Sequence, residues 1–198
     1  MTEVQFVLNH IIPKNLENVK VLDLGIGFGF YGWALKAHGY HGNPYEAKGF
    51  VGTPYIVGVE INPERAKHTE KFGLYDEVHV MDVTKELPEG NYGVRIVSHL
   101  IEHLSKEEAL TLIGKLEEMG PGVIVFACPY GDTTGLEPMS RDFHISSWYE
   151  KDFNDLGYKT SHMRFSHRAG RAIALFEALW YKLRGKRRGG VLVAWKTV

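Results

Sequence analysis

Val21-Leu22-Asp23-Leu24-Gly25-Ile26-Gly27-Phe28-Gly29 joins an apolar run to three glycines at alternate positions. The run from Val19 to Leu24 is broken only by Lys20 and Asp23 and reads as a buried first strand. Glycines at this spacing let the chain turn tightly and bring backbone N–H groups close to a ligand, with no Cβ in the way. Phe30 to His38 follows with helical spacing, and the start of such a helix adds a field that favours a negative or polar group. The segment predicts a nucleotide-like ligand at a strand–turn–helix junction, without naming it.

Working outward, short β-branched runs alternate with helical stretches. This is the pattern of a mostly parallel sheet with helices on both faces. Strands are expected at Tyr55–Glu60, Glu77–Met81, Val94–Ser98, Val123–Ala127, Tyr158–Phe165 and Val191–Val198. Asn62 followed by Pro63 marks the start of a helix running to about Phe72. Ser105 and Glu108 form a capping box ahead of a helix from Lys106 to about Met119, which Gly120-Pro121-Gly122 ends. Ser146–Leu156 and Arg168–Leu183 also read as helices. No internal repeat or linker divides the chain, so residues 1–198 are expected to form one α/β domain. Its sheet would be doubly wound, seven-stranded and mostly parallel.

A literal G-x-G-x-x-G is present as Gly27-Phe28-Gly29-Phe30-Tyr31-Gly32. The dinucleotide fingerprint expects an acid roughly 20 residues on, at the end of the second strand. Glu60 occupies that strand end but comes later, because a Gly-, His- and Tyr-rich stretch from Gly39 to Pro54 reads as an inserted loop. Four motifs together resemble the class I S-adenosylmethionine-dependent methyltransferases. They are the glycine segment at 21–29, Val59-Glu60-Ile61-Asn62, Val80-Met81-Asp82-Val83, and the segment from Ile96 to Leu104. The likeness covers roughly Val19 to Val198. Asp23 stands where the dinucleotide fingerprint normally begins with a glycine, which argues against an NAD(P)-dependent oxidoreductase. The resemblance implies S-adenosylmethionine as cofactor. Asp23 would contact its methionine amino group, and Gly25, Gly27 and Gly29 would line the methionine part. Glu60, with Ile61 beside it, would accept from both ribose hydroxyls, and Asp82 from the adenine amino group, with Val83 beside the ring.

Methyl transfer from a sulfonium requires a nucleophile held in line with the methyl group and, where needed, removal of its proton. Candidate groups lie beyond the carboxyl ends of the strands. His99-Leu100-Ile101-Glu102-His103 follows the fourth strand. As H-x-x-E-H it matches a zinc-peptidase signature, but that reading leaves the nucleotide motifs unexplained. The ubiquinone-pathway O-methyltransferases and the RNA 3′-end 2′-O-methyltransferases carry E-x-x-E-H here and bind a divalent cation with it. This sequence has His99 in place of the first acid, so a hard-cation site lacks one carboxylate, and no metal is expected. His99 is placed against the adenosyl portion of the cofactor instead. Glu102 and His103 also suit a helix start, and His103 remains a catalytic candidate. Tyr130, after the fifth strand, would lie near the transferred methyl. His144, in Phe143-His144-Ile145-Ser146-Ser147-Trp148, is the leading candidate for a substrate-facing base. The polar loop Asp132–Asp142 reads as a lid or substrate loop.

The formal net charge of -1 gives no global attraction to nucleic acid or anionic membranes. A local basic cluster does occur, with Lys182, Arg184, Lys186, Arg187 and Arg188 following an apolar-aromatic stripe of Ile173, Phe176, Trp180 and Leu183. It could clamp a phosphorylated or nucleic-acid substrate or touch an anionic surface, but a small-molecule acceptor is the favoured partner. A single cysteine, Cys128, excludes an internal disulfide. The first fifteen residues lack the pattern of a secretory leader, and no apolar run approaches the roughly 20 residues of a membrane span. A cytoplasmic protein is expected. The acceptor is expected to offer an O or N nucleophile. A catalytically inactive, cofactor-binding partner subunit is the alternative outside enzyme function.

Overall fold

A computed structural model describes residues 2–37, 51–134, 143–163 and 190–198. Among them run α1 (Glu3–His10), β1 (Lys20–Leu24), α2 (Phe30–Lys36), β2 (Tyr55–Glu60), α3 (Pro63–Glu70), β3 (Glu77–Val80), β4 (Val94–Ser98), α4 (Lys106–Glu118), β5 (Val123–Pro129), α5 (Glu150–Asn154), β6 (Lys159–Met163) and β7 (Val191–Thr197). The strands form one seven-stranded sheet in the order β3-β2-β1-β4-β5-β7-β6. The pairs from β3 through β5 are parallel, and β7 lies antiparallel between β5 and β6. The doubly wound, mostly parallel sheet expected from the sequence is present.

Strand residues alternate between two apolar layers, as the period of two demands. Val21, Ile56, Val94, Ile96, Val125 and Val193 face a layer that contains Val7, Leu8, Tyr31, Ala34 and Leu35 of α1 and α2. Leu22, Val57, Val97, Phe126 and Leu192 face the other layer, with Ala109, Leu112, Ile113 and Leu116 of α4 and the aromatic group Trp148, Phe153 and Tyr158. Both faces of the central strands are covered, which is why their sequences read as continuous apolar runs.

Several expectations change in detail. Helix α1 is an element the sequence reading did not assign. It starts at Thr2, whose hydroxyl accepts from the Gln5 amide (3.2 Å) while the Gln5 side chain accepts from the Thr2 amide (3.0 Å). The helix expected to begin at Ser146 begins only at Glu150. Ser146 does not cap it: its hydroxyl donates to the Ile101 carbonyl (3.0 Å), and the Ile145 and Ser146 amides donate to the Glu102 carbonyl. These bonds hold the backbone extended until Tyr149, whose amide donates to Asp152 (2.8 Å). Glu102 and His103 do not open α4. They lie in a separate 3₁₀ turn, Ile101–His103, and α4 has its own capping box at Ser105 and Glu108. β5 runs two residues further than expected, because Pro129 pairs with Val191. Most of the Gly39–Pro54 insert and the Asp132–Asp142 loop, the Arg168–Leu183 helix and the Lys182–Arg188 cluster lie outside the described residues. No helix among the described residues is long and apolar enough to cross a membrane.

Trp148 is 1% exposed and tilted on Phe153, with a ring-centroid distance of 5.1 Å. Its indole N–H donates to the Ser146 hydroxyl (2.9 Å). We expect Trp148→Ala to lower unfolding free energy by about 3–5 kcal/mol. Urea denaturation checks this, and a change within error of zero would mean that the aromatic layer is not part of the core.

Candidate functional site

Strand β1 ends between β2 and β4, and the loops beyond their carboxyl ends converge there. Gly25, Gly27 and Gly29 all adopt positive φ, at 72°, 50° and 78°. The loop is tied down at its base by the Gly25 and Ile26 amides, which donate to the Val59 carbonyl (2.8 and 3.1 Å). Side chains are excluded at two of these glycines by close approach. A Cβ on Gly25 would come within 3.3 Å of the Leu100 side chain, so the loop after β4 packs directly on the glycine loop. A Cβ on Gly29 would come within 3.0 Å of Leu74 and Thr69. Gly29 is the residue from which α2 starts.

Glu60 is buried at the end of β2. One carboxylate oxygen accepts from the Gly27 amide and the other from the Asn62 amide, both at 3.0 Å. An ionised carboxylate offers about four acceptor positions, so each oxygen retains capacity for a further donor. Asp23 is also buried, and its carboxyl accepts from the Tyr75 hydroxyl at 2.7 Å. Burial pushes its carboxyl up from the ordinary 3.8 to about 7; the Tyr75 bond opposes this and the nearby Glu3 charge adds to it. Asp82 is the opposite case. Bonds from Thr84 (2.7 Å from the hydroxyl, 3.0 Å from the amide) and Lys85 (3.0 Å) hold it at about 2. Val83 packs into the core beside it, while Ile61, after Glu60, is exposed.

Glu3 of α1 reaches into this edge. One of its oxygens accepts from the Tyr31 hydroxyl (2.6 Å) and the Ser98 hydroxyl (3.0 Å), and the other contacts His99 Nε2 (3.0 Å). Burial raises the Glu3 carboxyl, but these partners outweigh it and hold it below its usual value. His99 in turn places Nδ1 3.3 Å from Glu102, an ion-pair contact. Burial acts to lower the His99 ring, yet its contacts with Glu102 and Glu3 prevail and push it up to about 10, so it carries a proton at neutral pH. His99 has φ of 50°, an uncommon conformation for a residue with a Cβ, and its amide donates to Ala127 (2.7 Å). The partners of His99 in the fold are thus two carboxylates.

The segment from Phe143 to Trp148 is bonded onto the 3₁₀ turn, as described above, and this brings His144 against His103. Their ring centroids are 4.9 Å apart in an edge-on arrangement. His103 Nδ1 donates to the Phe143 carbonyl (3.3 Å), and His144 Nδ1 contacts the Thr133 hydroxyl (3.0 Å). Ligand-capable atoms of Glu102, His103 and His144 lie within 4.8 Å of one another. Tyr130 stands apart from this group, stacked on His162 (4.0 Å) and edge-on to Tyr149 (5.9 Å). The fold therefore forms two groups at one edge: Asp23, the glycine loop and Glu60 in one, and Glu102, His103 and His144 in the other, with His99 between them. Glu3 and Tyr75 were not identified from the sequence. The Thr2-x-x-Gln5 capping box was a signal for the helix that carries Glu3, but no local pattern shows that Tyr75 caps a carboxylate 52 residues earlier.

Neither a protein-family model nor a curated protein sequence matches the chain. Solved structures do. The protein in complex with the Haloferax volcanii Trm112 methyltransferase activator superposes with a TM-score of 0.68 at 18% identity, over 98% of this chain and 86% of that one. A methyltransferase dependent on S-adenosylmethionine from Archaeoglobus fulgidus gives 0.57 at 21% identity, over 98% and 93%. DhpI in its complex with S-adenosylmethionine gives 0.59 at 12% identity, over 98% and 84%. The chain has the fold of the class I S-adenosylmethionine-dependent methyltransferases.

Proposed function

We propose that the protein is a methyltransferase that binds S-adenosylmethionine at the β1–β2 edge and transfers its methyl group to an O or N nucleophile of a small-molecule acceptor. The observation that carries this reading is Glu60, with each of its oxygens bonded to one backbone amide and able to accept again. Two adjacent ribose hydroxyls are the donors such a carboxylate suits. Asp23 lies on the other side of the glycine loop with no cation beside it among the described residues, and the methionine ammonium would supply one. Asp82 and Val83 would flank the adenine. Fold neighbours crystallised with the cofactor or its product support the choice of ligand.

The acceptor would enter from the side of His103 and His144. The His103 Nδ1–H bond to a carbonyl leaves Nε2 with its lone pair, as a base requires. His144 is the second candidate to take the proton or orient the nucleophile. Tyr130, whose ring is used in packing, would shape the pocket wall.

Calorimetric titration tests the cofactor. Micromolar binding of S-adenosylmethionine and S-adenosylhomocysteine is expected, with no binding of NADH. Glu60→Gln should weaken affinity by about tenfold or more, the cost of disturbing hydrogen bonds to a charged group. NADH binding in its place would sink the reading. With an acceptor identified by methyl transfer to extract fractions, His144→Ala should reduce turnover far more than cofactor affinity. Unchanged turnover would remove His144 from the chemistry.

The raised Asp23 gives a pH signature. A folded value of about 7 against an ordinary 3.8 means that the fold favours the protonated acid. Its contribution to stability is therefore full at low pH and is lost as pH rises from about 4 to about 7. A bound ammonium would favour the carboxylate, so cofactor binding should release a proton near pH ~6 and none near pH ~8. Titrations in buffers of different ionisation enthalpy read this directly. Asp23→Asn should abolish the release, and release that persists in the variant would assign it to another group.

A further inference from the structure

We propose that Tyr75 is a positioning residue for the cofactor, holding Asp23 as the oriented carboxylate that receives the methionine ammonium. The ligand rests on the function proposed above; the bond between Tyr75 and Asp23 does not. Tyr75 lies between α3 and β3, 52 residues from Asp23 in sequence, and reaches it through a slot that two glycines leave open. A Cβ on Gly32 of α2 would stand 2.6 Å from the Tyr75 ring, and one on Gly58 of β2 would stand 2.8 Å from it. Both distances are shorter than packed atoms allow. Gly58 is the residue of β2 paired with Asp23, so the opening lies directly beside the acid. Neither glycine has a left-handed φ, so what their missing side chains provide is room for Tyr75.

The slot fixes the hydroxyl on two sides. Gly32 is the third residue of α2, where amides have no partner within the helix, and its amide donates to the Tyr75 oxygen (3.2 Å). The hydroxyl proton is directed at Asp23 Oδ2, 2.7 Å away, the length of a charge-assisted O–H···O⁻ bond. Such a donor gives most to an acceptor of full charge, so the arrangement favours the carboxylate form of Asp23. Tyr75 keeps its own proton, because burial and the Asp23 charge both push its hydroxyl well above the ordinary value. An ionised carboxylate has acceptor positions beyond this one bond, and a ligand ammonium can use them.

Two influences act against that form. Asp23 is buried, and Glu3 of α1 brings a second negative charge to the same end of the sheet. Among the described residues, the other groups around Asp23 are few. Tyr31 of α2 donates to Glu3, and His99 is the protonated partner of Glu3. In the sheet, Gly58 and Ile96 pair with Asp23 and carry no charge. Tyr75 is thus the donor that opposes both burial and Glu3. Without its hydroxyl, Asp23 would stay protonated to higher pH and would offer an ammonium a neutral, less firmly held oxygen.

Carbon NMR titration of Asp23 in the free full chain, joined to calorimetry with S-adenosylmethionine, is the test. The wild-type midpoint should lie at about 7. Tyr75→Phe, which keeps the ring in its slot, should move it upward, and Glu3→Gln should move it downward. Tyr55→Phe, which removes a hydroxyl bonded to Glu77 at the far end of β2, should leave it in place. In the wild-type chain the Tyr75 Cζ resonance should shift with the Asp23 midpoint, a readout that stands even if a variant unfolds. Tyr75→Phe should bind the cofactor about tenfold more weakly at pH ~7 and extend proton release on binding to pH ~8. An Asp23 midpoint unmoved in folded Tyr75→Phe, or moved the same way in both variants, would overturn the proposal. So would a Tyr75 resonance that ignores the Asp23 titration, or equal cofactor affinity in Tyr75→Phe and wild type. No cofactor binding by the wild-type chain, with the titrations as expected, would instead overturn the cofactor reading and with it the ligand assigned to this pair.

Discussion

Strand β1 is hydrogen-bonded along its length to β2 on one side and β4 on the other, both parallel to it. The rest of the site depends on this pairing. Three chains reach the same sheet edge side by side, and the chain leaving β1 must turn in the narrow space between the other two. It can do so only with left-handed backbone and without side chains at the closest points, and this accounts for the glycines. Their amides are bonded within the fold, to the Val59 carbonyl, Glu60 and the Ile26 carbonyl, and the turn they form sits at a topological switch point, where an open α/β sheet offers a crevice to ligands. The end of β2 supplies Glu60 on one flank, and the end of β4 supplies His99 and Glu102 on the other.

Much of this was legible in the chain. A residue that acts through its immediate neighbours shows itself locally. Gly25, Gly27 and Gly29 follow a strand, Asn62 precedes Pro63, and Ser105 sits three residues before Glu108; each becomes the turn or cap its spacing implies. Glu60 was readable because strand ends and acidic residues are both visible in sequence. What escaped depends on contacts between distant segments. The Ser146–Leu156 stretch has helical composition, but hydrogen bonds to Ile101 and Glu102 claim its first residues, and tertiary bonding overrides propensity there. His144 could be named as a functional candidate, but its neighbours could not, since nothing in the local pattern places it beside His103. Glu3 lies in a segment that the sequence reading considered only for a leader.

The edge concentrates negative charge. Asp23, Glu3, Glu60 and Glu102 are buried or nearly so, and among the described residues no lysine or arginine pairs with them. Backbone amides, hydroxyls and His99 do instead. The amides and hydroxyls among these donors satisfy lone pairs without cancelling charge, and the single charge of His99 offsets only part of the total, so the crevice keeps a field that draws cations. The proposed ammonium ligand at Asp23 is one response to that field. Among the described residues, His99 is the protein cation placed at this edge. Its left-handed backbone is the conformational cost of holding an imidazole there.

The position of β7 has a consequence for how the sheet is made. Among the described residues β6 pairs with no strand except β7, and β5 is left with a bare edge until β7 arrives, so the last strand in sequence completes two neighbours at once. During synthesis the first five strands can assemble as they emerge, but the sheet stays open through the whole stretch between Met163 and Val191. For that interval the chain presents two unpaired strand edges, and that of β5 is of largely apolar sequence, the kind of surface on which nascent chains associate wrongly. Insertion of a strand between two others also needs contacts far apart in sequence, which slows closure. The step that seals the fold is therefore the late docking of Val191–Thr197, and the time for which those edges stay open is set by the rate at which the segment before it is translated.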